Sequence, residues 1–152
     1  MSGILIAKEI RHRFKDALKA AGMSVDAGAG PMPVTVLDVA PAGWVLPEDK
    51  LPALYVFSTG EGFSYESLSE VTRQLFLDVA LMARGGGDPM DQLDDMQLAV
   101  EQAVIGANGF GLARTCRPVS VDPAQNQGAV LIGTRLIKFE ITYGVTPGDP
   151  SL

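Results

Sequence analysis

The chain has 152 residues, 47% of them apolar and only 20% charged, with a formal net charge of −6. That size fits one domain around a single core, and the acidic balance argues against broad electrostatic attachment to nucleic acid. One cysteine, Cys116, excludes an intramolecular disulfide and a cysteine-rich metal site.

In chain order, the first element is a helix over Gly3 to Ala21. Ile6, Ile10, Phe14, Leu18 and Ala21 recur at helical spacing with Lys and Arg on the other sides, and Gly22 marks its stop. Lys8 and Glu9 interrupt the apolar start at Ile4, Leu5 and Ile6, so no signal peptide is expected. Residues Asp26 to Pro33 hold two glycines and two prolines and read as a loop. Val34 to Ala40 is a predicted strand, followed by the Pro41–Pro47 loop and the polar Glu48-Asp49-Lys50. Leu54 to Phe57 reads as a short buried strand and Ser58 to Gly62 as a turn.

Between Val71 and Leu81 the residues Val71, Leu75, Leu77, Val79 and Leu81 share one parity, which places them on one face of a strand. Gly85-Gly86-Gly87 ends it. Asp88-Pro89 is then an N-cap followed by proline at the first helical position, and Leu93, Met96, Val100 and Val104 form one helical stripe. Leu112 to Val121 reads as a strand whose Pro118 demands an edge position or a bulge. Asp122 to Gly128 reads as a polar loop. Arg135 to Val145 alternates cleanly, with Ile137, Phe139, Ile141, Tyr143 and Val145 on one face. The expected fold is α+β: a single mixed or antiparallel sheet with two main helices packed on one face. Residues 1–145 form the domain and 146–152 a C-terminal tail.

The residue types do not assemble a reactive centre in sequence. His12, the only histidine, sits among Arg11, Arg13 and Lys15 with no carboxylate orienter in view. Cys116 reads as packing; a thiolate nucleophile would need Arg117 to lower its pKa and His12 brought close. The triple glycine lacks the Gly-Lys-Ser/Thr of a phosphate loop, and Asp88, Asp91 and Asp94 would repel an anion. Asp88 and Asp91 suit the helix N-terminus; for the acidic cluster that also includes Asp94 and Asp95, solvation, a subunit contact, a divalent cation and a DNA-facing wall all remain open. No cofactor or metal is expected. Trp44 either packs under its loop or anchors a partner.

Charge is unevenly placed. Residues 1–20 carry a net +3 and residues 61–101 a net −7. Mean hydropathy is +0.19, high for a small monomer, yet no apolar run approaches the roughly 18 residues of a membrane span. Burial against further copies of the chain is the simplest use of the surplus, and opposed charged sides suit head-to-tail contacts that close into rings.

Taken together, Leu54-Tyr-Val-Phe57, Phe76-Leu-Asp-Val-Ala-Leu81, Asp91-Gln-Leu-Asp-Asp-Met-Gln-Leu-Ala-Val100 and Arg135-Leu-Ile-Lys-Phe-Glu-Ile-Thr-Tyr143 resemble the tail terminator proteins of long-tailed bacteriophages, the lambda minor tail protein U-like group. The resemblance spans roughly Ile4 to Val145. It implies a structural virion protein rather than an enzyme: a homohexameric ring at the tail–neck junction, made in the host cytoplasm. That ring would cap the tail tube protein at full length and join the head-completion (connector) protein, with DNA passing its lumen unspecifically. On that basis Arg11, Arg13 and Lys15 against Asp91, Asp94 and Asp95 are the expected subunit contact. Trp44, Asp49, Lys50, Gln125, Asn126 and Gln127 are the expected axial contacts. Another neck subunit, or a small cytoplasmic α+β enzyme using Cys116, are the alternatives.

Overall fold

The computed structural model describes residues 3–44, 46–65, 67–126 and 129–151, and within these the side chains at all positions but 44, 124–126 and 129–132. Helix α1 (Ile6–Ala20) buries Ala7, Ile10, Phe14 and Leu18, the spacing read from sequence. It ends at Ala21, and Gly22 takes the left-handed φ of 59° that favours glycine there. It begins later than expected because Leu5 is extended and bridges Ser151, while the Ile6 N–H donates to the Pro150 carbonyl at 3.0 Å. The C-terminal segment therefore fastens the start of the helix.

Residues Asp26 to Pro33, expected as a loop, instead contribute to a small second sheet: β1 (Ser24–Asp26) pairs antiparallel with β2 (Pro31–Pro33). This corrects the loop reading of that stretch and adds a small second sheet beside the expected main one. Val34 N–H donates to the Met23 carbonyl, so by antiparallel alternation Val25/Met32 is the hydrogen-bonded pair. Pro31 and Pro33 then fall on positions that need no N–H, which is why proline is tolerated.

The main sheet has order β3-β4-β5-β7-β6, built from β3 (Thr35–Val36), β4 (Ala53–Tyr65), β5 (Val71–Met82), β6 (Thr115–Asn126) and β7 (Ala129–Val145). Strand β3 runs parallel to β4 and the remaining pairs are antiparallel. Helix α2 (Pro89–Gly106) returns from the end of β5 towards the start of β6. The fold is α+β, with both helices on one face of a mixed sheet.

Several strand bounds differ from the sequence reading, each for a local reason. Ser58 to Gly62 is not a turn: β4 runs through it, and the register shift between Ser58 and Gly60 is a bulge absorbed by Gly60 at φ 147°. Likewise β6 continues through the expected polar loop, and its shifts beside Pro118 and Pro123 let an edge strand carry prolines. In contrast β3 is cut to two residues, since Asp38 turns its carboxylate back to α1.

The buried face carries Leu75, Leu77, Val79 and Leu81 of β5 beside Ile137, Phe139 and Ile141 of β7. Phe14 of α1 contacts the Phe139 ring edge-on at 5.2 Å and the Phe110 ring at 5.4 Å, a favoured aromatic spacing. From α2, Leu93, Met96, Val100 and Val104 close the core. The triple glycine has a packing purpose: a side chain on Gly28, φ 100°, would strike the Gly86 carbonyl, and one on Gly87 would come within 3.1 Å of the Ala27 backbone.

Candidate functional site

The sheet presents two unlike edges, and surface chemistry concentrates on them. Immediately after β3, at one edge, Asp38 accepts from Lys15 at 2.7 Å and from Lys19 at 2.8 Å. Lys15 first and then Lys19 hold its carboxyl down at about 2. Two lysines share one carboxylate there, so the edge stays cationic. Val39, next in the chain, is 77% exposed. Lys8 and Arg11 are in no ion pair among the described residues.

At the opposite edge a groove of about 570 Å³ opens between the start of α2 and β6–β7. Pro89, Met90, Leu93, Val121 and Pro123 supply its apolar side chains. Met90 and Val121 are exposed although apolar. Asp122 lines it too, and Arg135 donates to Asp94 at 2.7 Å and to Gln97 at 2.9 Å along its side. Packing places the apolar stripe of α2 inward, and Met90 at the start of that helix stays exposed beside the groove.

A third surface lies at the end of the sheet where Tyr65, Val71 and Val145 are in register. Phe63 sits under the Arg73 guanidinium, 4.6 Å from its ring centroid, within cation–π range. Arg73 also approaches Glu61 at 3.8 Å, and the Tyr143 hydroxyl donates to Glu61. Burial first, then Glu61, pushes that hydroxyl far above the usual phenol range. Tyr65 and Leu68 are exposed to solvent by comparison.

The residues singled out from sequence are dispersed differently. Arg13 donates to Glu9 at 3.0 Å and to the Phe110 carbonyl at 2.8 Å, so it serves its own fold. Asp91 and Asp95 line a cleft with Asp26, Gly28 and Asp88, facing the β1–β2 turn rather than the groove. Lys15 and Asp94 do lie at opposite edges, each in an internal ion pair. Asp49 and Lys50 are exposed on a short 3-10 turn, Glu48–Lys50. The side chains of Trp44, Gln125 and Asn126, and Gln127 altogether, lie outside the described residues.

Cys116 is half-buried against the core, and burial pushes its thiol up to about 12, which disfavours the thiolate. It borders a cleft with Val104, Asn108 and Arg114, whereas His12 borders another with Lys15, Asp16 and Asp38. Among the described residues no group of three or more His, Cys, Asp or Glu is arranged to hold a metal ion.

Gln92 is the structural residue that sequence reasoning missed. Fully buried on α2, its amide accepts from Arg84 N–H at 2.9 Å and donates to the Arg84 carbonyl at 2.8 Å. The signal was present: Gln92, Met96, Val100 and Val104 are each four apart, so a polar residue occupies a core spacing. No family model and no curated protein sequence matches this chain.

Proposed function

We propose that the protein is a phage tail terminator, a ring-forming structural subunit that caps the tail tube, stops its growth and joins it to the neck. The observation that carries this reading is where the four resembling segments fall. Leu54–Phe57 lies in β4, Phe76–Leu81 in β5, Arg135–Tyr143 in β7 and Asp91–Val100 in α2. Those are three adjacent strands and the helix over them, so the resemblance follows one packed unit rather than scattered pieces.

The surfaces support the same reading. Exposed Phe63, Tyr65 and Leu68 gather at one end of the sheet, while Ile4 and Leu5 are held at the surface by the Pro150–Ser151 segment. Apolar groups displayed in this way suit docking on other proteins. In this reading the segment with Trp44, Asp49 and Lys50, together with Gln125, Asn126 and Gln127, meets the axial partners.

Purified tail-tube protein polymerising in the presence of substoichiometric chain is the test. Tubes should stop growing, with ring-shaped density at one end in negative stain. Unimpeded tube growth combined with binding to the head-side connector would instead assign the chain to another neck position.

A further inference from the structure

We propose that the open length of β4, from Val56 to Tyr65, takes an extended acidic segment of another protein as an added strand, with its carboxylates against Lys8 and Arg11 of α1. The occupant is defined by this chemistry alone, so the inference stands apart from the capping reading.

An edge left open is the first observation. Strand β3 covers only Ala53 and Leu54, and the Leu37 N–H donates to the Leu54 carbonyl at 2.8 Å before the chain turns away. Among the described residues no strand pairs with that side of β4 from Val56 onwards. Because the Leu54 carbonyl faces the edge, alternation also turns the backbone groups of Val56 and Ser58 outward. Beyond the bulge, those of Glu61, Phe63 and Tyr65 face outward. Edges are ordinarily guarded against strand addition by proline, lysine or bulges. Strand β6 has Pro118, Pro123 and its register shifts. Strand β4 has one bulge but neither proline nor lysine, and its only charged residue, Glu61, is engaged by the Tyr143 hydroxyl.

Charge is the second. Lys15 and Lys19 reach Asp38 beside the end of β3, so the flank of α1 that carries them lies over this edge. Arg11 and Lys8 precede Lys15 by one and two helical turns and share that flank. The start of α1 is tied to Pro150 and Ser151, soon after Val145, and Val145, Val71 and Tyr65 share a row. Lys8 and Arg11 therefore lie along the open length of the edge. Neither is in an ion pair among the described residues.

A precedent within the chain is the third. Asp38 follows β3 directly and accepts from Lys15 at 2.7 Å and from Lys19 at 2.8 Å, so a carboxylate in line with β3 already meets this helix flank. A strand continuing that line would repeat the contact at Arg11 and Lys8, adding backbone pairing to charge pairing. A second copy has little to offer here: β6 is interrupted by prolines, and β4 brings only the engaged Glu61.

The probe is a capped, fluorescently labelled peptide of alternating glutamate and valine. An alternating lysine–valine peptide and a block peptide of glutamates then valines serve as controls. Anisotropy should show saturable binding of the first peptide alone, weakened by salt. In amide hydrogen exchange Glu61, Phe63 and Tyr65 should gain protection. Gly60, Gly62 and Ser64, whose amides face β5 by the same alternation, should not change. Lys8→Glu with Arg11→Glu should weaken binding at least about tenfold at an unchanged thermal midpoint. Phe63→Pro, which removes an outward N–H, should weaken it as much, whereas Phe63→Ala should retain most of it. No binding, equal binding of the lysine peptide, or protection confined to other strands would overturn the inference, even for a chain that caps tubes. Protection of the same amides without peptide at high protein concentration would also overturn it, by giving the edge to a second copy. Peptide binding by a chain that leaves tube growth unimpeded would support it and overturn the capping reading alone.

Discussion

Asp78 shows how much one side chain can report. It stands on the central strand β5, 6% exposed, on the sheet face without helices, between Phe57 and Lys138 in register. Burial raises its pKa, outweighing Lys138 and the Thr59 hydroxyl, which donates at 3.4 Å; nearby Asp122 raises it further. The folded state therefore holds this proton more tightly than the unfolded chain. Stability from Asp78 is present below the ordinary carboxylate range and is lost as pH rises through the raised value. Asp78→Asn should consequently gain on wild type between pH 4 and pH 7 in urea unfolding. An equal difference between the two proteins at both pH values would show that the carboxylate is already ionised at the lower one. Alternation along β5 puts Asp78 on the face opposite Leu77 and Val79; that neighbouring strands bury it there depends on pairing, which no local pattern contains.

At the scale of elements, legibility followed the strength of periodicity. Helix α1, the core face of β5, helix α2 with its Asp88 cap accepting from Met90 N–H at 2.9 Å, and strand β7 were all readable, since each buries one continuous stripe. The β1–β2 hairpin and the outer half of β6 were not. Proline and glycine ordinarily end strands, and here they are accommodated by non-hydrogen-bonded positions and bulges that only the partner strand defines. Gln92 links the two classes, because a readable helix is anchored by an unreadable contact to the Arg84 backbone. Gln92→Ala should cost about 2 kcal/mol, as it strands an N–H and a carbonyl at the strand–helix junction. Chemical denaturation would measure it, and Gln92→Glu should be worse than wild type because the carboxylate cannot donate. A loss within a few tenths of a kcal/mol would mean that water replaces the amide at no cost.

For the whole molecule, the sheet has two edges and two ends, and the ring-forming reading needs the ends for the tube and the neck and the flanks for copies of the chain. That division makes the functions separable. Tyr65 and Leu68 lie at one end, are 77% and 102% exposed, and make no contribution to the core cluster. Tyr65→Ser with Leu68→Ser should therefore change folding stability by no more than about 0.5 kcal/mol and leave ring assembly unaltered. Tube capping should nevertheless fall, because apolar anchors of this kind concentrate docking energy at a protein surface. The comparison needs one preparation and two assays, sedimentation for the ring and tube length for the cap. If both stay at wild-type levels, the tube-facing rim belongs to the opposite end, where Asp49 and Lys50 become the residues to change. If ring and cap fail together while the fold holds, edges and ends are not independent, and the lateral contact must extend to the end of the sheet that carries Tyr65.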